Sequence, residues 1–265
     1  MSTTDVNQGS KITLYWLDKS RGQRIVWLLE ELKLEYELKV FKRGKDWLAP
    51  AELKEIHGLG KSPIIGVQGP GAEKPLILAE SGNMIEFLAE HFGRWMVPQR
   101  YPEGKEGVVG AESEEWLRYR YMMHYAEGSL MTVLLIAMVT TNVRNAPVPF
   151  FIKPITRMIS NKIDDSFVNP ELKTHMAFLE NYLDTAPNGG GFFCGSTLTG
   201  ADFMMIFALE GAVQRVPLSD TSYPKLYQWV RRMQARDAYK KAGDKVSEAS
   251  GEPYIPFSDL EKQSP

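Results

Sequence analysis

The chain has 265 residues, 43% of them hydrophobic and 24% charged, with a formal net charge of -2. This composition excludes wholesale disorder, and the near-neutral balance gives no electrostatic case for nucleic acid as a partner. A single cysteine, Cys194, excludes an intrachain disulfide and any CxxC redox or zinc motif, so no metal is expected.

Residues 1–10 read as a flexible N-terminus without a charged-then-apolar leader, which predicts a cytoplasmic protein. From Ile12 to Leu17 a β-branched and aromatic run bounded by polar residues reads as a buried strand. Ser20 then offers an N-cap, and Ile25, Leu28, Leu29 and Leu32 follow at helical spacing. Tyr36, Leu38 and Val40 alternate as a second strand, and a short helix is predicted from Pro50 to about His57. Ile64-Ile65 and Leu76-Ile77-Leu78 form two more strands, joined through Gly69-Pro70-Gly71. Ser81 opens a helix whose inner face is Met84, Ile85, Leu88 and Phe92. The order β-α-β, short helix, β-β-α predicts an α/β thioredoxin-like domain over residues 11–94.

Residues 95–111 are rich in Gly, Pro and charge and read as a linker. Residues 112–242 form an all-helical domain, with Trp116, Tyr119, Met123 and Leu130 on one long helix. A loop with Pro147, Pro149 and Pro154 follows, then helices near 155–185, 200–215 and 223–240. The apolar stretch Leu130–Val139 falls short of the roughly 20 residues that cross a bilayer, so it reads as a buried helix and no membrane span is expected. Thr199 and Asp202 have the spacing of a helix-capping box, flanked by Leu198 and Phe203 as a hydrophobic staple. Cys194, beside Phe192-Phe193, reads as a core residue. The segment 243–265 mixes Ser, Glu, Lys and Pro and is expected to pack loosely or not at all.

Three features of the first domain carry chemistry. The turn Asp18-Lys19-Ser20-Arg21-Gly22 precedes a helix N-terminus, whose unpaired N–H groups and partial positive charge suit an anion. A hydroxyl at Ser20 could donate there to a ligand's thiolate. Lys61-Ser62-Pro63 puts a proline just before a strand, where a cis peptide would free the N–H and C=O of Ser62 for an extended peptide ligand. Ala79-Glu80-Ser81 ends a strand and starts a helix, so Glu80 can pair with an ammonium while Ser81 and the helix N–H groups take a carboxylate. Each has an ordinary structural reading when taken alone: an N-cap, a loop proline, a capping serine beside a solvated acid. Their convergence at one end of the same small sheet is what distinguishes them.

These stretches, with Leu14-Tyr15-Trp16-Leu17-Asp18-Lys19-Ser20-Arg21, Arg24-Ile25-Val26-Trp27-Leu28-Leu29-Glu30-Glu31-Leu32, Leu59-Gly60-Lys61-Ser62-Pro63 and Leu78-Ala79-Glu80-Ser81-Gly82, resemble the cytosolic glutathione transferases, particularly their fungal branch and related bacterial sequences. Tyr125-Ala126-Glu127-Gly128-Ser129-Leu130 resembles the same branch, and the likeness spans about residues 11–240. The resemblance implies attack of the glutathione thiolate on a hydrophobic electrophile, with detoxification of xenobiotics or epoxide-bearing toxins, peroxidase side activity and a homodimer as associated expectations. Glutathione would be the co-substrate, with no tightly bound cofactor. The thiolate donor would be Ser20, with Lys19 and Tyr15 as alternatives. Glutathione would be held by Lys61, Ser62, Pro63, Glu80, Ser81 and His57, with Lys54 a further cation. Arg21, Tyr119, Met123, His124 and Tyr125 would line the electrophile pocket. A catalytically silent binding or regulatory protein of the same fold is the competing reading. A thiol reductase would need a cysteine at the Ser20 turn.

Overall fold

The computed structural model describes residues 5–256, 258 and 259. Residues 1–4 of the expected flexible N-terminus, and 257 and 260–265 of the expected tail, lie outside them. Strands β1 (Lys11–Leu17), β2 (Glu37–Phe41), β3 (Ile64–Gln68) and β4 (Leu76–Ala79) form one four-stranded sheet in the order β2-β1-β3-β4. β2 runs parallel to β1, while β3 is antiparallel to both β1 and β4. Successive side chains of a strand alternate between faces. Ile12, Leu14 and Trp16 accordingly join the main core with helices α1 (Gly22–Glu31) and α3 (Ser81–Phe92). Tyr15 and Leu17 join a smaller cluster with Phe41, Ile64 and Leu53 of α2 (Glu52–Ile56) on the opposite face.

The helical part comprises α4 (Glu114–Tyr125), α5 (Met131–Arg144), α6 (Lys153–Ile163), α7 (Asn169–Asp184), α8 (Gly200–Val213), α9 (Pro224–Ala235) and α10 (Asp237–Ser250). A π-type turn, Ala126–Leu130, joins α4 to α5, and a second, Asp164–Val168, joins α6 to α7. α8 is buried from Gly200 to Ala212, which is why its sequence is apolar all round rather than on one stripe. Its start is fixed by the expected box: the Thr199 N–H donates to Asp202 Oδ2 at 2.9 Å. The N–H of Phe193 and the indole of Trp229 donate to Oδ1. Cys194 is buried, as its apolar setting suggested, and burial pushes its thiol up.

Three sequence expectations change. The helical run Glu114–Arg144 is long and apolar enough to cross a membrane by length and composition alone, so the apolar run extends beyond Leu130–Val139. Its inner face, with Tyr119, Met122, Leu130, Val133 and Ala137, fills the helical core, but the expected buried helix is only half buried: Leu135, Met138 and Val139 face solvent, as do Phe150, Phe151, Ile155 and Met158 beyond it. Residues 5–10 are pinned rather than loose: Asn7 exchanges hydrogen bonds with the backbone of Glu35, donating to its carbonyl at 2.6 Å and accepting its N–H at 2.9 Å. The described residues from 243 to 256 pack as well. Tyr239, Ala242, Gly243 and Val246 form the buried stripe of α10, a helical period masked in the sequence by the polar residues between them.

Candidate functional site

The strand register gathers the three chemical features. Ile64 pairs with Ala79 and with Tyr15, so one step beyond the ladder Ser62 and Pro63 lie beside Glu80 and Ser81 on one side and the end of β1 on the other. The Ser62–Pro63 peptide is cis. Ser62 Oγ donates to the Tyr15 carbonyl at 3.1 Å and accepts the Leu17 N–H at 3.1 Å. Its side chain thus takes over the ladder bonds that the strand pair lacks at this point. Among the described residues no hydrogen bond takes up the backbone N–H or carbonyl of Ser62, which leaves them for a ligand.

Ser20 is buried at the turn between β1 and α1. Its hydroxyl donates to the Leu17 carbonyl at 2.7 Å and accepts the Gly22 N–H at 3.0 Å, so it takes up the first helical N–H although the N-cap position itself is Arg21, one residue later than the sequence suggested. Its proton is directed into the turn. A Cβ on Gly22 would meet Trp16 Cδ1 at 2.7 Å, so only glycine lets the helix begin this close to the strand. Lys19, at φ 47°, places its ammonium 4.4 Å from the centre of the Trp47 ring. Tyr15 is not at this site, because its strand position turns it to the α2 face against Phe41.

Glu80 precedes α3 with φ 69° and ψ 121°, a left-handed conformation that turns the chain sharply from β4 into the helix. Its carboxylate is exposed, while Ser81 is buried as the first residue of α3. Among the described residues neither side chain is engaged in a hydrogen bond. An exposed carboxylate beside a hydroxyl and open helix N–H groups can hold both halves of an α-amino acid. Lys61 is exposed beside this pair. His57 ends α2 and receives the Leu59 N–H on its Nδ1 at 3.5 Å. The stem of Lys54 packs beside Gly60, where a Cβ would meet Lys54 Cγ at 2.6 Å.

The residues expected to line a second-substrate pocket are differently placed. Tyr119 and Met123 are buried core residues of α4, Tyr119 against Gly200 and Met123 toward Gly82. Tyr125 is buried too, with its hydroxyl 2.5 Å from Nδ1 of His175. His124 faces solvent beside Arg120. The Nε of Arg21 donates to both oxygens of Glu127 at 3.0 Å. The fully buried Arg24 bonds the same carboxylate. Burial works to raise the pKa of Glu127, but Arg24 and Arg21 outweigh it and hold the group below its ordinary value.

Beside the Ser20 turn the structure opens instead into a cleft of about 550 Å³, lined by Trp16, Lys19, Ser20, Phe207 and residues from the chain's end. Sequence reasoning missed Arg24, Glu127 and Phe207. An arginine in the apolar helix face beside Ile25 and Leu28 was the available signal for the first. Glu127 stands among Tyr125, Ala126 and Gly128, where a single acidic residue carries no local sign of its distant arginine partners. Nothing in the sequence singled out Phe207 among the other apolar residues of α8.

Family models match both parts of the chain: the glutathione S-transferase N-terminal domain over residues 20–91 and the C-terminal domain over residues 143–241. The chain is 32% identical to Glutathione S-transferase 1 of Saccharomyces cerevisiae, across 89% of this chain and 95% of the yeast protein. The crystal structure of a glutathione S-transferase from Actinobacillus pleuropneumoniae superposes with a TM-score of 0.64 at 26% identity, covering 96% of this chain and 97% of that one. A glutathione transferase homologue from Lodderomyces elongisporus, crystallised with two glutathione molecules per subunit, gives 0.62 at 19% identity, over 88% and 97% of the respective chains. With a thioredoxin-like sheet domain, an all-helical second domain and these matches across nearly its whole length, the chain belongs to the glutathione S-transferase family.

Proposed function

We propose that the protein conjugates the thiolate of glutathione to hydrophobic electrophiles. The observation that carries this reading is the assembly of Ser20, Ser62 and the Glu80–Ser81 pair at one end of the sheet, with the polar groups of the last three open to a ligand. The γ-glutamyl ammonium pairs with Glu80, and its carboxylate takes the Ser81 hydroxyl and the first N–H groups of α3. The cysteinyl backbone adds alongside Ser62 as a short extra strand. Lys61, Lys54 and His57 are the groups available to the glycyl carboxylate.

This pose brings the sulfur to the Ser20 turn and the N-terminus of α1. A free thiol titrates near 8.5, so lowering it by about two pH units amounts to about 2.7 kcal/mol of differential stabilisation. The helix N-terminus and one hydroxyl hydrogen bond together reach that magnitude. Ser20 must then turn its proton from the Leu17 carbonyl to the sulfur, keeping its oxygen on the Gly22 N–H. The thiol proton leaves to solvent, and the sulfur pair forms an S–C bond. In substitution the electrons of the breaking bond leave with a halide, and in addition to an activated alkene the carbon takes up a proton. A role in detoxification, a cytoplasmic location and a homodimeric assembly accompany this proposal.

Two measurements test it together. Calorimetry with reduced glutathione is expected to show binding, and 1-chloro-2,4-dinitrobenzene is expected to be turned over. Binding without turnover of that or any other electrophile would make the protein a silent glutathione binder. Absence of binding would remove the proposal altogether.

A further inference from the structure

We propose that helix α6 and the loop before it, residues 145–163, form a docking surface for an anionic lipid bilayer. The inference stands independently of the transferase reading and starts from a helix whose two faces are exchanged. α6 packs against α5, and at four-residue spacing it turns Thr156, Ser160 and then Asp164 of the following turn toward the protein. Ser160 and Asp164 are buried. Asp164 accepts from Thr140 Oγ1 at 2.6 Å, from Arg144 at 2.5 Å and from Arg215 at 3.2 Å. The outer stripe, Ile155, Met158, Ile159 and Ile163, is apolar and faces solvent. A helix on the surface of a water-soluble domain ordinarily turns its apolar stripe to the core. Here the polar contacts of Asp164 hold it the other way round.

The exposed apolar surface continues into the loop. Phe150 and Phe151 are 83% and 65% exposed, and their rings meet edge to face with centres 5.5 Å apart. Pro147, Pro149 and Pro154 restrict the backbone on both sides of this pair, so it is carried on a stiff tip. About half of the large apolar side chains exposed among the described residues lie between Leu135 and Phe167. Apolar surface gathered in one place marks contact with a protein or a membrane.

Charge names the partner. The chain has a formal net charge of -2, yet from Gly128 to Ile163 it has no Asp or Glu, while Arg144, Lys153, Arg157 and Lys162 fall in that stretch. Arg144 is taken by Asp164. Lys153, Arg157 and Lys162 are exposed, with no ion pair among the described residues. A second copy docked through the same face would set cations against cations, and the exposed Asp165 just beyond the helix is one carboxylate against three of them. A layer of anionic headgroups answers all three. Their long stems let the charged ends reach that layer while the isoleucines, Met158 and the phenylalanine pair sink toward the acyl chains. At 11 residues α6 is too short to span a bilayer, so it lies in the plane of the surface.

Flotation of the full-length protein with lipid vesicles tests this. Vesicles of phosphatidylcholine mixed with phosphatidylserine are expected to carry the protein, and vesicles of phosphatidylcholine alone to bind it at least about tenfold more weakly. Added salt is expected to weaken the binding by screening the cations. Phe150→Ser with Phe151→Ser, and separately Arg157→Gln with Lys162→Gln, are each expected to lower vesicle binding at least about tenfold. All four side chains are exposed and lie outside the Ser20, Ser62 and Glu80 region, so thermal unfolding and glutathione affinity are expected to stay unchanged. Absence of flotation would overturn the inference, as would flotation equal on the two kinds of vesicle or unaffected by both double substitutions. If the unsubstituted protein fails to float and the double Phe→Ser variant turns a dimer into a monomer in sedimentation, a second copy covers this face instead.

Discussion

The hydroxyl oxygens of Ser20 and Ser62 lie 3.4 Å apart, and each is also bonded to the backbone of the first strand. Ser20 ties the Leu17 carbonyl to the start of α1, while Ser62 ties Tyr15 and Leu17 to the proline loop. The helix that would stabilise a thiolate and the loop that would hold the peptide are thereby positioned by the same short piece of strand. Removing the Ser20 hydroxyl leaves the buried Gly22 N–H and Leu17 carbonyl without it, so Ser20→Ala is expected to lose about 1 kcal/mol of stability. It is also expected to raise the pH at which the thiolate absorbance of bound glutathione appears. Should the bound thiol titrate as before, Lys19 on the same cleft wall becomes the donor to test next.

Glu80 allows binding to be separated from folding. Its side chain is exposed and makes no hydrogen bond among the described residues, so Glu80→Gln is expected to leave thermal unfolding unchanged within the small effect typical of surface positions. A charge-assisted hydrogen bond to an ammonium is worth about 1.5–3 kcal/mol, so the same substitution is expected to weaken glutathione at least about tenfold. Calorimetry checks this directly. Equal affinity in the variant would detach the γ-glutamyl group from this residue.

The contrast between these residues and those of the second-substrate side shows which physics is legible in a sequence. Ser20, Ser62, Glu80 and Ser81 stand at element boundaries, where turn chemistry and capping leave local signatures, and the strand order then brings them together. Tyr119, Met123 and Tyr125 sit at helical spacing, and spacing alone does not say whether such a face meets a cleft or another helix. Here it meets α8 and α7. The cleft's outer wall depends on a chain reversal after Ser250, and its polar composition resembles that of a free tail. Tyr254 packs only because Gly243 lacks a side chain, a pairing of positions that no local pattern announces. The ion pairs of Glu127 were hidden for the same reason, since its partners lie more than a hundred positions away in sequence.

That distant pairing carries a further expectation. Arg24 is fully buried, and Glu127, about a third exposed, is the carboxylate bonded to it. Glu127→Gln leaves a buried guanidinium without its counter-charge, which is expected to cost about 2–4 kcal/mol at pH 7, toward the lower end because solvent reaches the carboxylate. The folded state holds Glu127 below its ordinary 4.5. Its contribution is therefore present above about pH 4.5 and is lost as the pH falls through the folded value. The stability gap between the two proteins, from urea unfolding across pH, is expected to close on acidification. A gap that is constant with pH would mean that shape rather than charge makes the contact.

Asp202 has the opposite sign. It is completely buried in the capping box of α8, and burial pushes its pKa from the ordinary 3.8 up to about 6, against the pull of hydrogen bonds from Thr199, Phe193 and Trp229. Between those two values the folded state binds a proton that the unfolded chain has released. Its contribution to stability is thus complete below about pH 3.8 and is lost as the pH rises through about 6, a change of order 3 kcal/mol. Asp202→Asn keeps one acceptor oxygen and cannot ionise. It is expected to be less stable than the unsubstituted protein at every pH, because the Thr199 end of the box loses its acceptor, yet the deficit is expected to be larger at pH 4 than at pH 7. Comparing the two proteins cancels the titration of Glu127 and the other carboxylates, so the difference in urea midpoints isolates this one group. A deficit that grows toward neutral pH would show that the hydrogen bonds to the ionised carboxylate outweigh its burial, and that Asp202 is charged in the folded protein well below pH 6.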